Sequence, residues 1–108
     1  MAKDPREMLQ AFTGGMKEVA KTNGDQVRAF MNLLQEDYKP GALDTKAKEL
    51  ISVAVSAYNR CEYCIVFHVY KALEAGATRE EIYDAAWLLL LSVAAPRWHT
   101  HRLCSKIL

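Results

Sequence analysis

The chain has 108 residues, room for one domain of ordinary size, and 51% of them are hydrophobic, enough for a substantial core. Fourteen Lys and Arg against 13 Asp and Glu leave a formal net charge of +1, so there is no electrostatic reason to expect nucleic acid or an acidic membrane surface as a partner. Three cysteines, an odd and small number, argue against a secreted disulfide framework; in a reducing compartment a Cys-x-x-Cys pair suits catalysis or metal binding better than structure.

The first residues, Met1-Ala2-Lys3-Asp4-Pro5-Arg6-Glu7, are polar and lack the apolar stretch of a secretory signal. Pro5 suits the start of a first helix. That helix carries Met8, Leu9, Phe12, Met16 and Val19 at three- and four-residue spacing, with Gly14-Gly15 as a point where it could bend. Asn23-Gly24 reads as a break. A second helix then shows Val27, Phe30, Met31 and Leu34 on one stripe, and Tyr38-Lys39-Pro40-Gly41-Ala42 reads as a connector. Asp44 is an N-cap for a third helix reaching about Tyr58. A fourth begins near Cys61 and ends at Gly76, which suits the left-handed residue after a helix. Thr78-Arg79-Glu80-Glu81 is a capping box for a fifth. The fifth is apolar nearly all round from Ala85 to Ala95, and Pro96 ends or kinks it. A last short helix holds Trp98, Leu103 and Ile107.

No strand pattern, repeat or long linker interrupts this order. The expected fold is all-α, an orthogonal or antiparallel bundle of about six helices forming a single domain over residues 1–108. The run Ala85–Pro96 is too short to span a bilayer, which needs roughly 20 residues, and a soluble cytoplasmic protein is expected. A helix apolar on every side is hard to bury in a small monomer, so a homo-oligomer is expected too; the alternative is a helix at the centre of a compact bundle.

The chemistry concentrates in the fourth helix. Spacings of three, four and seven residues put Cys61, Cys64 and His68 on one face. Thiols on adjacent turns can close a disulfide. A helix start favours thiolate, the reactive form of cysteine. A histidine one turn on can take the thiol proton or hold the thiolate as an ion pair. Packing alone would also account for buried cysteines, but not for three such residues in register at a helix start. Glu49 is a further candidate. At 100° per residue the third helix puts Ala47, Leu50, Ala54 and Tyr58 on its main apolar face, with Ile51 beside them, and Glu49 opposite, among Ser52, Val53 and Ser56. The ordinary reading of that glutamate is solvated surface. Its small neighbours also suit close approach of another helix, and a carboxylate aimed at His68 would raise the ring's basicity and orient it.

Glu49, eleven residues, Cys61-x-x-Cys64, three residues and His68 together resemble the signature of alkylhydroperoxidase D-like proteins of the carboxymuconolactone decarboxylase superfamily. The flanks are similar as well: Lys39-Pro40-Gly41-Ala42-Leu43-Asp44, Lys48-Glu49-Leu50-Ile51, and Ala75-Gly76-Ala77-Thr78-Arg79-Glu80-Glu81-Ile82. The resemblance runs from Lys39 to Val93, about half of the chain. It implies an all-α trimer or hexamer that reduces a peroxide with its dithiol. It further implies Cys64 as the attacking cysteine, Cys61 as the resolving one, and His68 with Glu49 as the proton relay. An external dithiol, from an electron-donor protein, would reopen the disulfide, and no bound cofactor or metal is implied. The helix dipole alone favours Cys61 as the more acidic thiol, whereas the resemblance assigns the attack to Cys64. The prototype peroxidase carries a histidine just before the second cysteine; this chain has Tyr63, a poorer proton carrier near neutrality.

Two other functions stay open at this point: a lyase of the decarboxylase type, and a metal-binding module using Cys61, Cys64 and His68 with Glu49 or water. Cys104 reads as a packed or surface thiol, His99 and His101 as part of a solvated basic end, and Trp87 and Trp98 as packing residues.

Overall fold

A computed structural model describes residues 3–94 of the chain, with the backbone alone for residues 90–94. Four helices follow one another, α1 (Pro5–Tyr38), α2 (Thr45–Tyr58), α3 (Glu62–Glu74) and α4 (Arg79–Ala94), and there is no strand among the described residues. The first two expected helices are one element with a kink: Asn23, at φ −121 and ψ 45, is the non-helical point inside α1. The bend anticipated at Gly14-Gly15 does not occur; a glycine pair lowers helix propensity, but the turns on either side carry the helix through. The expected sixth helix, with Pro96, Trp98, His99, His101 and Cys104, lies outside the described residues.

Local chemistry sets the ends. Asp4 accepts a hydrogen bond from the Arg6 N–H with Pro5 as the first helical residue, and Asp44 accepts one from the Ala47 N–H. Gly76, at φ 92, lets α3 end in a doubly bonded reverse turn, with Gly76 N–H donating to Leu73 and Ala77 N–H to Ala72. Thr78 and Glu81 then cap α4 reciprocally: the Thr78 N–H donates to Glu81 at 2.9 Å and the Glu81 N–H to the Thr78 hydroxyl at 3.1 Å.

The core lies where α2, α3 and α4 meet. Val53, Ala72 and Ala77 are buried, with Leu50, Val69 and Ile82 packed around them. Ala72 has no exposure at all, so its methyl is fully enclosed by the neighbouring side chains. Lys46 ties α2 to α4 through Glu81 at 2.9 Å. Trp87 corrects the packing role expected of it: it is 68% exposed in the single chain, because α4 carries more apolar circumference than α2 and α3 cover. No helix among the described residues is long and apolar enough to cross a membrane.

Candidate active site

Glu49 lies on the side of α2 that is buried, together with Val53 and Ser56, and is only 4% exposed. This overturns the reading of its face as solvated surface. Small side chains on that face let α3 approach. Their hydroxyls are satisfied within the helix: Ser52 Oγ donates to the Lys48 carbonyl at 3.0 Å and Ser56 Oγ to the Ser52 carbonyl at 2.6 Å. The face Ala47-Leu50-Ala54-Tyr58 is half-buried, and Ile51 beside it is exposed.

The turn between α2 and α3 aims the cysteines. Arg60 sits in the left-handed region, at φ 55, which reverses the chain; the Cys61 N–H then donates to the Ser56 carbonyl at 3.2 Å. Cys61 becomes the N-cap of α3, and its sulfur accepts the Cys64 N–H at 3.3 Å. Cys61 and Cys64 are joined as a disulfide, with S–S 2.09 Å and Cα–Cα 5.2 Å. Both are partly buried. Between them, Glu62 and Tyr63 face solvent, and Glu62 is paired with Lys3 at 2.7 Å.

One turn beyond Cys64, His68 meets Glu49. His68 Nδ1 lies 2.8 Å from Glu49 Oε2, and the two side chains are 15% and 5% exposed. With the carboxylate ionised, Nδ1 is the donor, and Nε2 is left as the basic nitrogen. Spacing alone could not decide this pairing; the geometry brings the two residues together from helices whose facing sides are 19 residues apart in sequence.

Two residues near the pair were not singled out from the sequence. The Tyr38 ring stacks on His68, with centroids 5.6 Å apart and planes at 25°, and its hydroxyl is hydrogen-bonded to Ser52 Oγ. Burial, first, and the Glu49 and Asp37 charges, in part, push the Tyr38 hydroxyl above its ordinary pKa of 10.0, against the opposing effect of the Ser52 bond. The signal that could have found Tyr38 is the stripe Val27-Met31-Leu34, which continues to it at helical spacing. A cleft of about 410 Å³ opens beside the pair, lined by Met31, Leu34, Tyr38, Glu49, Phe67 and Lys71 among others. Among the described residues no group of three or more His, Cys, Asp or Glu side chains is arranged to hold a metal, and the two sulfurs a metal would need are bonded to each other.

Known proteins with similar sequences and folds agree with one another. A model of the carboxymuconolactone decarboxylase family matches residues 25–101. An uncharacterized protein in the cox locus of Paracoccus denitrificans is 36% identical over 76 residues, covering 70% of this chain and 68% of that protein. The alkyl hydroperoxide reductase AhpD of Mycobacteroides abscessus is 35% identical over 89 residues, covering 73% of this chain but only 51% of the reductase. The chain thus spans about half the length of that relative. A carboxymuconolactone decarboxylase family protein from Legionella pneumophila has the same fold, with a TM-score of 0.77 and 30% identity over 82% of this chain and 79% of that one.

Proposed function

The chain belongs to the carboxymuconolactone decarboxylase family, on its alkylhydroperoxidase D-like side, and from that premise we propose that it is a dithiol peroxidase. The observation that carries this reading is the Cys61–Cys64 disulfide at the start of α3 with His68, one turn along the same helix, paired to the buried Glu49 of α2.

In the proposed cycle His68 Nε2 takes the proton of Cys64, and Glu49 stabilises the imidazolium through Nδ1. The Cys64 thiolate attacks one oxygen of a hydroperoxide; an S–O bond forms, the O–O bond breaks, and the leaving alkoxide takes a proton to depart as an alcohol. Cys61 then attacks the Cys64 sulfenic acid. The S–S bond forms, the S–O bond breaks, and the hydroxide leaves as water after protonation. Two thiol–disulfide exchanges with an external dithiol, supplied by an electron-donor protein, restore the pair, so no bound cofactor is required. Tyr63 is exposed and gives the relay no second imidazole, so the proposed cycle runs on His68 alone and turnover is expected to be slower than in a relative with histidine there. The reading places the protein in a reducing compartment, the cytoplasm. It works as a homo-oligomer, a trimer or hexamer: Trp87 at 68%, Leu33 at 57% and Phe30 at 55% exposure leave apolar surface that a second copy would cover.

Titrating free thiols of the reduced protein before and after one equivalent of hydroperoxide tests the reading. Loss of two thiols per chain, with a species larger than one 12.2 kDa chain on sedimentation, is expected. Retention of both thiols of the pair overturns it.

A further inference from the structure

A histidine that must aim one nitrogen at a thiol needs its ring edge and its ring plane fixed. Glu49 fixes the edge, through the 2.8 Å bond to Nδ1. One hydrogen bond leaves the ring free to swing about the bond's own axis, so the plane is set by other contacts. Two aromatic rings flank His68. Phe67 meets it edge-on, at 5.2 Å and 82°, but it is the adjacent residue of the same helix and moves with it. Tyr38 stacks on it at 25° from the C-terminal end of α1, and so gives a reference independent of α3.

Tyr38 is itself held from several directions, all of them on α2. Ser52 Oγ gives its own proton to the Lys48 carbonyl at 3.0 Å, so the phenol donates to Ser52. The Tyr38 carbonyl accepts from Thr45 Oγ1 at 2.8 Å, and Lys48 Nζ donates to the neighbouring carbonyls of Asp37 and Lys39. Ser52 follows Glu49 by three residues, so the carboxylate that sets the ring edge and the hydroxyl that anchors the stacked ring share one face of α2.

We propose that Tyr38 is the positioning residue of this site: it sets the plane of His68, and its ring face favours the imidazolium formed when His68 takes the Cys64 proton. The inference rests on the thiol–imidazole reading above and extends it to a residue outside the sequence signature. The groups that bear on His68 are Glu49 from α2, Tyr38 from α1, and Cys64 and Lys71 one turn away on either side along α3. Tyr38 brings a neutral ring to the site: its phenol, with an ordinary pKa of 10.0 that burial raises further, carries no charge through the range in which thiols and imidazoles titrate. Its effect on the ring is therefore constant across that range: an aromatic face that attracts a cation and a plane that does not turn.

The test uses two readouts in a Cys61→Ser background, neither of which involves peroxide: the pH midpoint of His68 by NMR, and the pH midpoint of Cys64 alkylation by iodoacetamide. Tyr38→Leu should lower the His68 midpoint and raise the alkylation midpoint by about half a unit each, a roughly threefold change. Tyr38→Phe and Ser52→Ala, which keep the ring but untie it, should give smaller shifts of the same sign, equal to each other, and the double variant should shift no further than either. These two decide the matter if Tyr38→Leu does not fold. Midpoints unchanged in all the folded variants, or fully additive shifts in the double variant, overturn the assignment. A wild type that ignores peroxide but yields the expected shifts removes the peroxidase reading and leaves Tyr38 in its role.

Discussion

α1 has 34 residues and buries Met8, whereas α2 and α3, with 14 and 13 residues, bury Glu49, Val53, Ser56 and Ala72. The short pair is held by close approach of small side chains, and the residues with chemical potential lie on its faces. The long helix leaves Val19, Phe30 and Leu33 about half exposed and meets the site near its C-terminal end, where Tyr38 stacks on His68 and Met31 and Leu34 line the cleft. A Cα radius of gyration of 15.8 Å, against roughly 13 Å for a compact domain of this size, fits a chain whose long α1 packs only sparsely on the core that α2, α3 and α4 form. The contrast teaches that one chain suffices to bring Glu49 and His68 together, while α1 and α4 keep large apolar side chains exposed.

If the α2–α3 pair is where the chemistry lives, Glu49→Gln should have the largest effect. The amide keeps the shape and loses the charge that supports an imidazolium. Peroxide-driven loss of the Cys64 thiol should slow by about a hundredfold or more, read by stopped-flow at pH 7 with the helix content unchanged. A rate within a fewfold of wild type would mean the pair is structural. The stability contrast is smaller and runs in opposite directions in the two regions. Ala72→Leu, at the fully buried contact, should destabilise by about 1–3 kcal/mol. Gly14→Ala and Gly15→Ala, where an added Cβ meets nothing within 4 Å, should each stabilise by about 0.4–1 kcal/mol. Denaturant unfolding reads both. Equal tolerance at Ala72 and Gly14 would erase the distinction between a tight pair and a loosely packed α1.

Most of the fold was legible because its boundaries are written in local chemistry. Asp44, Gly76 and the Thr78–Glu81 box act within a few residues of where they stand, and the structure uses each as the sequence suggests. Asn23 was legible as a break but not as a kink, since whether two helices part or merely bend depends on what packs against them. The site was legible along α3 and much less so across helices. Cys61, Cys64 and His68 share a periodicity, so one element shows them. Glu49 sits on a face whose small residues look the same whether they meet water or another helix, and a contact between helices decided it. Ser52 was placed on the face of Glu49 and Tyr38 continues the stripe of α1, but their contact was missed for the same reason: they meet across the 39–44 connector, where no period relates them. Trp87 shows the converse, an apolar residue that pattern places in a core and that a single chain leaves exposed.

The most direct measurement treats reduced Cys61→Ser protein with a hydroperoxide, adds a nucleophile selective for sulfenic acid, and locates the adduct by mass spectrometry. Cys64 as the attacking residue predicts one adduct, on Cys64, formed faster in the presence of Glu49 than in Glu49→Gln. A Cys64 that stays a free thiol under peroxide would contradict the account, as would an adduct in Cys64→Ser protein that sits on Cys61 and forms at the same rate.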